Sequence, residues 1–275
     1  MKATSALKEI ADITASQWGF VTTAQAEKRG VDKLMLSRLA KKQLVERVVQ
    51  GVYRDVGVPT SEFDEIKAYW LSAKPELLAE ERIARPENDF VASGATASWL
   101  HGLGDLTPSK YEFVANVRKQ TTHNSVRFRV AKVSVEDVTL AQGLPVQSPA
   151  AAVVELLRER TDLSIVEQVV SDARSRIGDM AKFSDSLKTV ASDYGLGRNN
   201  GGALAAVLND LKMPELSEIA KQSQKIEESM KVISSQVENL RLQMKMSELQ
   251  SQLSKLSDSI REINVPGGRS DFRDV

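Results

Sequence analysis

Cysteine is absent from the 275-residue chain, which excludes disulfides, thiolate metal sites and a cysteine nucleophile, and fits a reducing compartment. Histidine is almost absent. His101 and His123 are the only two, and neither stands at metal-ligand spacing from a partner; His101 reads as a helix-end residue packed in the fold and His123 as exposed. No Asp-x-Asp pair is available for two-metal nucleotidyl transfer. The one nuclease-like Glu-x-Lys, Glu65 to Lys67, falls in a helical pattern where a surface ion pair is the simpler reading. No run approaches the roughly 20 apolar residues of a membrane span, and the N-terminal segment lacks the apolar core of a signal peptide. These absences lead us to expect a cytoplasmic protein with no catalytic residues, no cofactor and no metal.

Charge of one sign is also lacking overall, with 37 basic against 37 acidic residues. The balance is uneven along the chain. Residues 1–58 hold ten basic and six acidic residues, a surplus of +4 that the remainder offsets. A hydrophobic content of 41% is enough for one large domain or two smaller ones with a core.

The most informative segment is QLVERVVQGVYR, Gln43 to Arg54. Two β-rich runs, 45–49 and 52–54, flank Gln50-Gly51, a pair suited to a tight hairpin turn. Upstream lie a helical pattern over 5–18 and two short ones over 23–29 and 32–42, the last two separated by Gly30. Helix, turn, helix, hairpin spells a winged helix-turn-helix, and DNA is its commonest ligand. In the third pattern Leu36, Leu39 and Ala40 fall on one side, while Lys33, Ser37 and Lys41 share another with Arg38 and Lys42 beside them. Such a face suits a major groove, where Arg can read guanine and Lys holds phosphate. Arg47, Gln50 and Arg54 on the wing, and Thr22 and Thr23 at the head of the second helix, complete the expected DNA-binding set. The threonines also suit an N-cap.

Residues 59–212 alternate between helical and extended patterns and read as a mixed α/β second domain. Helices are expected over 62–73, 95–101, 150–160, 164–177, 183–194 and 202–211, and strands over 111–117 and 126–133, with a linker at 56–61. From Leu216 to Ile263 there is no aromatic, Pro or Gly residue, and apolar residues recur at 3,4 spacing. Ile226, Met230, Ile233, Val237 and Leu240 form one register and Leu249, Leu253, Leu256 and Ile260 a second, displaced by two residues. Sustained spacing of this kind is the signature of a coiled coil, here over 213–264 and most simply a homodimer, with an irregularity at the phase change. The tail, 265–275, reads as disordered. The fold class is therefore α+β: winged helix-turn-helix, mixed α/β domain, helical coiled coil.

The run WGFVTTAQAEKRGVDKLMLSRLAKKQLVERVVQGVYR, then SGATASWLHGLG and GLPVQSPAAAVVELL, in that order, resembles the AbiEi family of antitoxins from type IV toxin–antitoxin and abortive-infection systems, over about residues 5–160. The resemblance implies a winged domain that binds inverted repeats in its own promoter and represses the operon. It also implies a second domain that counters a nucleotidyltransferase toxin without forming a stable complex with it. Basic sites carried over by position fall on Lys33, Ser37, Arg38, Lys41 and Lys42, and the wing on 47–54. Two departures stand out: Gln43 replaces the glycine common at the helix end, and the long coiled coil is extra. The alternative reading is an oligomeric interaction protein that recruits a partner through winged helix and coil.

Overall fold

In the computed structural model, residues 2–191, 209 and 214–263 are described, and the chain divides into two compact units, Met1–Glu218 and Ile219–Val275. Helix α1 (Ala3–Ser16) turns Ala6, Ile10 and Ile13 inward, as its 3,4 spacing dictates. Trp18 and Gly19 then both take left-handed backbone, φ +54° and +85°, and reverse the chain into strand β1 (Phe20–Thr22). Thr22 caps α2 (Thr23–Lys28). Its hydroxyl accepts from the Gln25 amide at 3.1 Å, and the Gln25 side chain accepts from the Thr22 amide at 2.9 Å. This reciprocal pair satisfies two amides that the helix start leaves open. Gly30, at φ +74°, turns the chain into α3 (Lys33–Lys41). The hairpin follows as β2 (Val45–Val49) and β3 (Val52–Asp55).

Helix, turn, helix and hairpin thus stand where the sequence places them, and β1 is an addition. It pairs antiparallel with β3, Phe20 opposite Arg54 and Thr22 opposite Val52, giving the order β1-β3-β2. Three residues between a reversal and a helix cap, all buried, are too few to show strand alternation.

The same compact unit continues with α4 (Asp64–Ala73), α5 (Ala79–Ile83), β4 (Val91–Ala92), α6 (Gly94–Leu100), β5 (Tyr111–Ala115), β6 (Val126–Val130), β7 (Val138–Ala141) and β8 (Leu144–Gln147). Helices α7 (Pro149–Arg158), α8 (Leu163–Ala173) and α9 (Met180–Ala191) follow. The five strands form a mixed sheet in the order β6-β5-β4-β8-β7. Within it β4/β5 and β7/β8 run antiparallel, β4/β8 and β5/β6 parallel. Pro149 occupies the first turn of α7, where its missing amide costs nothing.

Besides β1, strands β4, β7 and β8 and helix α5 have no counterpart in the sequence reading. Helix α5 is held by a tertiary contact: the buried Arg82 meets both Asp89 oxygens at 2.7 and 3.0 Å, donates to the Trp70 carbonyl at 2.7 Å and stacks 3.5 Å from the Trp70 ring. Strand β7 is an edge strand tied to β8 through Gln142 and Gly143, both at positive φ, +52° and +82°, as a two-residue hairpin turn of mirror-image type requires.

The small sheet and the five-stranded sheet share one buried core. Phe20, Val49 and Val52 belong to the same apolar cluster as Ile66, Trp70, Phe113 and Val146. Polar ties reinforce it: Thr22 Oγ1 donates to the Pro75 carbonyl, Gln25 Nε2 to that of Leu77 at 2.7 Å, and Gln17 Oε1 accepts from the Ala79 amide at 2.9 Å. Gly143 is needed for the same junction, since a Cβ there would come within 2.8 Å of Trp18 Nε1.

Helix α10 (Pro214–Ile263) is unbroken over 50 residues. Ile226, Met230, Ile233, Val237 and Leu240 are each more than half exposed, as are Leu253 and Leu256, with Leu249 at 47%. The side chain of Ile260, the 192–194 end of one expected helix, nearly all of that over 202–211, and the tail 265–275 lie outside the described residues. No helix among the described residues is long and apolar enough to cross a membrane.

Candidate nucleic-acid interface

Helix α3 is pinned by its inward face and capped by Asp32, whose carboxylate accepts from the Met35 amide at 2.7 Å. Met35, Leu36 and Leu39 are buried in the core formed with α1 and the hairpin. That anchorage leaves Lys33, Leu34, Arg38, Lys41 and Lys42 exposed and Ser37 half-buried. The helix ends at Gln43, which takes left-handed backbone at φ +55°. Gln43 N donates to the Ala40 carbonyl and Leu44 N to that of Leu39, the paired closure typical of a helix C-terminus.

On the wing, Arg47 and Gln50 are exposed, and the strand register shifts between Arg47 and Val49. Thr23 ties the wing to α2: its amide and hydroxyl donate to the Gly51 carbonyl at 2.8 and 3.3 Å. The hairpin therefore holds a fixed position beside α3. Among the described residues no carboxylate engages Lys33, Arg38, Lys41, Lys42 or Arg47. Five uncommitted cations on one helix and one hairpin form a surface fit for phosphates.

Two residues of the expected set face inward instead. Thr22 is completely buried and its hydroxyl is consumed by capping and by Pro75. Arg54 is 6% exposed; it pairs with Glu46 at 2.6 Å and Asp64 at 3.8 Å and donates to the Val58 carbonyl at 2.8 Å. Position along a strand gave no warning of this, because β1 takes the edge of β3 that a two-stranded hairpin would leave open and the chain after the hairpin supplies Val58 and Asp64 to the Arg54 guanidinium.

A second basic feature adjoins the wing. Between Phe113 and Val135 the sequence has five Lys or Arg residues and no acidic one, a run that pattern reading passed over in favour of its strands. Part of it, Lys119 to His123, lines a cleft of about 700 Å³ together with Gln50 at the wing tip, Ser72 and Phe128. His123 is half-buried, packing edge-on against Tyr69 with ring centroids 5.5 Å apart. Arg118 and Lys132 of this run are exposed, whereas Arg127 pairs with Glu112 at 3.1 Å.

Elsewhere the titratable groups serve the fold. Glu65 and Lys67 do not pair with each other: Glu65 accepts from the Tyr111 hydroxyl at 3.4 Å, and Lys67 Nζ lies 5.4 Å from the Trp18 ring centroid. Burial first, then Glu65, pushes the Tyr111 hydroxyl up to about 12, so it remains a donor. Burial likewise depresses Lys67 and His101; the His101 Nε2 lies 2.8 Å from the Gln147 carbonyl, where it donates as the neutral ring. Arg129 gathers three carboxylates, Glu155, Glu159 at 3.0 Å and Glu112 at 3.4 Å. Burial, then the hydrogen bond and charge of Glu112, push Glu159 up to about 7. Among the described residues no group of three or more His, Asp or Glu side chains could hold a metal ion.

Comparison with known proteins places two family models on the chain. Residues 8–54 match one described as "Transcriptional regulator, AbiEi antitoxin", and residues 90–196 match the "AbiEi antitoxin C-terminal domain". Among solved structures, the Rv2827c protein from Mycobacterium tuberculosis is similar at 14% identity and a TM-score of 0.49, over 78% of this chain and 80% of that one. No curated protein matches the chain significantly.

Proposed function

From the premise that the chain belongs to the AbiEi antitoxin family, with its transcriptional-regulator module and its C-terminal domain in order, we propose that it represses its own operon and counters a nucleotidyltransferase toxin. The observation that carries the DNA half is the uncommitted cationic face of α3 and the wing. Lys33, Ser37, Arg38, Lys41 and Lys42 would enter a major groove, and Arg47 and Gln50 would follow the adjacent backbone. Thr23 positions the wing for that contact. Thr22 and Arg54 act behind it, as cap and internal ion pair.

Antitoxin activity belongs, in this reading, to residues 59–212, because repression cannot inactivate a toxin already made. The toxin would be countered without a stable complex. Helix α10 would join two copies: a row of aliphatic side chains more than half exposed on one helix is unfavourable in water until a second helix covers it. Two-fold symmetry would then match an inverted repeat.

The two activities are separable by substitution. In cells carrying the toxin from the neighbouring gene, the full-length double variant Arg38→Ala/Lys41→Ala should lose repression of a reporter driven by the upstream DNA and keep growth rescue. Loss of rescue with normal protein levels would overturn the division of labour.

A further inference from the structure

Leu34 is 59% exposed on a helix whose other apolar positions are buried or half-buried. It occupies the second position of α3, just after the Asp32 cap, in the turn that a recognition helix points at base edges. Ser37, Arg38 and Lys41 follow at three, four and seven residues, so all four lie on one face, and Lys33 adjoins it. Helix α3 carries no acidic residue. The other exposed large apolar residues described before α10 are Val56, Leu77, Val117, Val130, Val135 and Leu140, and none of them lies on α2, α3 or the hairpin.

An aliphatic side chain offers no hydrogen bond, so it cannot distinguish guanine, cytosine or adenine by donor and acceptor pattern. The feature of the major groove that complements it is the 5-methyl group of thymine. Lys33 and Arg38 beside it, with Lys41 a turn further on, suit a polyanion better than a purely apolar protein partner. Building on the DNA-binding reading above, we infer that Leu34 is a specificity-determining residue that packs against a thymine methyl in the major groove, while Arg38 and Lys41 supply polar and phosphate contacts. Its position at the surface means that shortening it removes this contact without opening the core that Met35, Leu36 and Leu39 fill.

The test uses the full chain. A duplex is selected from random sequence by wild-type protein, and each thymine is replaced in turn by deoxyuridine, which lacks only the methyl group. We expect one thymine per half-site at which the replacement weakens wild-type binding by about fourfold, the worth of one buried methyl. Leu34→Ala should weaken binding to the thymine duplex to a similar or greater extent and show no further loss on the deoxyuridine duplex. Wild-type protein indifferent to every replacement, or Leu34→Ala still sensitive at the same position, would overturn the role of Leu34 and leave DNA binding intact. Failure of the wild type to enrich any sequence would overturn the DNA-binding reading itself, and this inference with it.

Discussion

Gln43 holds a backbone conformation that side chains resist. Its φ of +55° closes α3 through the bonds to Ala40 and Leu39, and a residue with a Cβ pays about 1–2 kcal/mol there. Gly would escape that cost but lose more chain entropy on folding, by about 0.5–1 kcal/mol. Gln43→Gly should therefore stabilise the protein by about 0.5–1 kcal/mol in denaturant unfolding, with no loss of the basic face; a destabilised variant would contradict the strain. A second residue sets a pH dependence. Glu159, pushed up to about 7 by burial and by Glu112, lies above the ordinary carboxylate value of about 4.3. Between those values the folded state binds more protons than the unfolded one, so this group's contribution is fully present below about pH 4.3 and is lost as pH rises through about 7. Glu159→Gln cannot ionise and should flatten that slope. Unfolding measured from about pH 5 to about pH 8 checks this: the wild type should lose stability relative to the variant as pH rises, and a constant gap would contradict the assignment.

At the scale of elements, legibility followed periodicity and local chemistry. The helices α1 and α3 were readable because their buried residues recur at helical spacing, and α4 because Phe63, Ile66, Tyr69 and Trp70 fall on one side although nearly the whole helix is buried. Helix α7 was readable from Pro149 in its first turn, and the hairpin because Gly51 sits between two β-rich runs. Strands β1, β4, β7 and β8 and helix α5 were not. Each is short, and most are fixed from elsewhere in the chain: β1 by β3, β4 by β5 and β8, α5 by Arg82 reaching Asp89 and Trp70. The β7/β8 hairpin turns locally on Gln142-Gly143, a pair that pattern reading passed over. The same principle governs the candidate site. Lys33, Arg38, Lys41, Lys42, Arg47 and Gln50 were readable as outward positions, while the burial of Thr22 and Arg54 depended on β1 and on the 58–79 segment. Leu34 was passed over because an apolar residue in a helix is ordinarily assigned to the core. Helix α10 carries its own expectation. Ile233→Asp/Val237→Asp places two charges in its apolar row without touching its ends, and light scattering at tens of micromolar should then show a monomer where the wild type is a dimer. A wild-type monomer, or a variant that stays dimeric, would remove α10 as the dimer contact.

For the molecule as a whole, a single compact unit carries both the regulator module and the family's C-terminal domain, with Phe20, Val49 and Val52 sharing a core with the sheet domain. The winged element is therefore oriented by the second domain rather than hung from it on a linker. The basic run beside the wing tip belongs to that second domain, and its exposed Arg118 and Lys132 extend the basic surface past the hairpin; on the proposed DNA-binding reading, several phosphates should be neutralised at once. Each one releases counterions, and log affinity should fall linearly with log salt, by about 0.9 for every phosphate engaged. The most direct measurement is fluorescence anisotropy of the full chain on labelled duplex from its own upstream DNA, over a series of salt concentrations, for the wild type and Arg38→Ala/Lys41→Ala. The expected result is tight wild-type binding with a steep salt slope, and a variant that binds at least tenfold more weakly with a slope shallower by about 1 to 2. Equal affinity and equal slope for the two proteins, or no wild-type binding at low salt, would contradict DNA recognition through α3 and its wing.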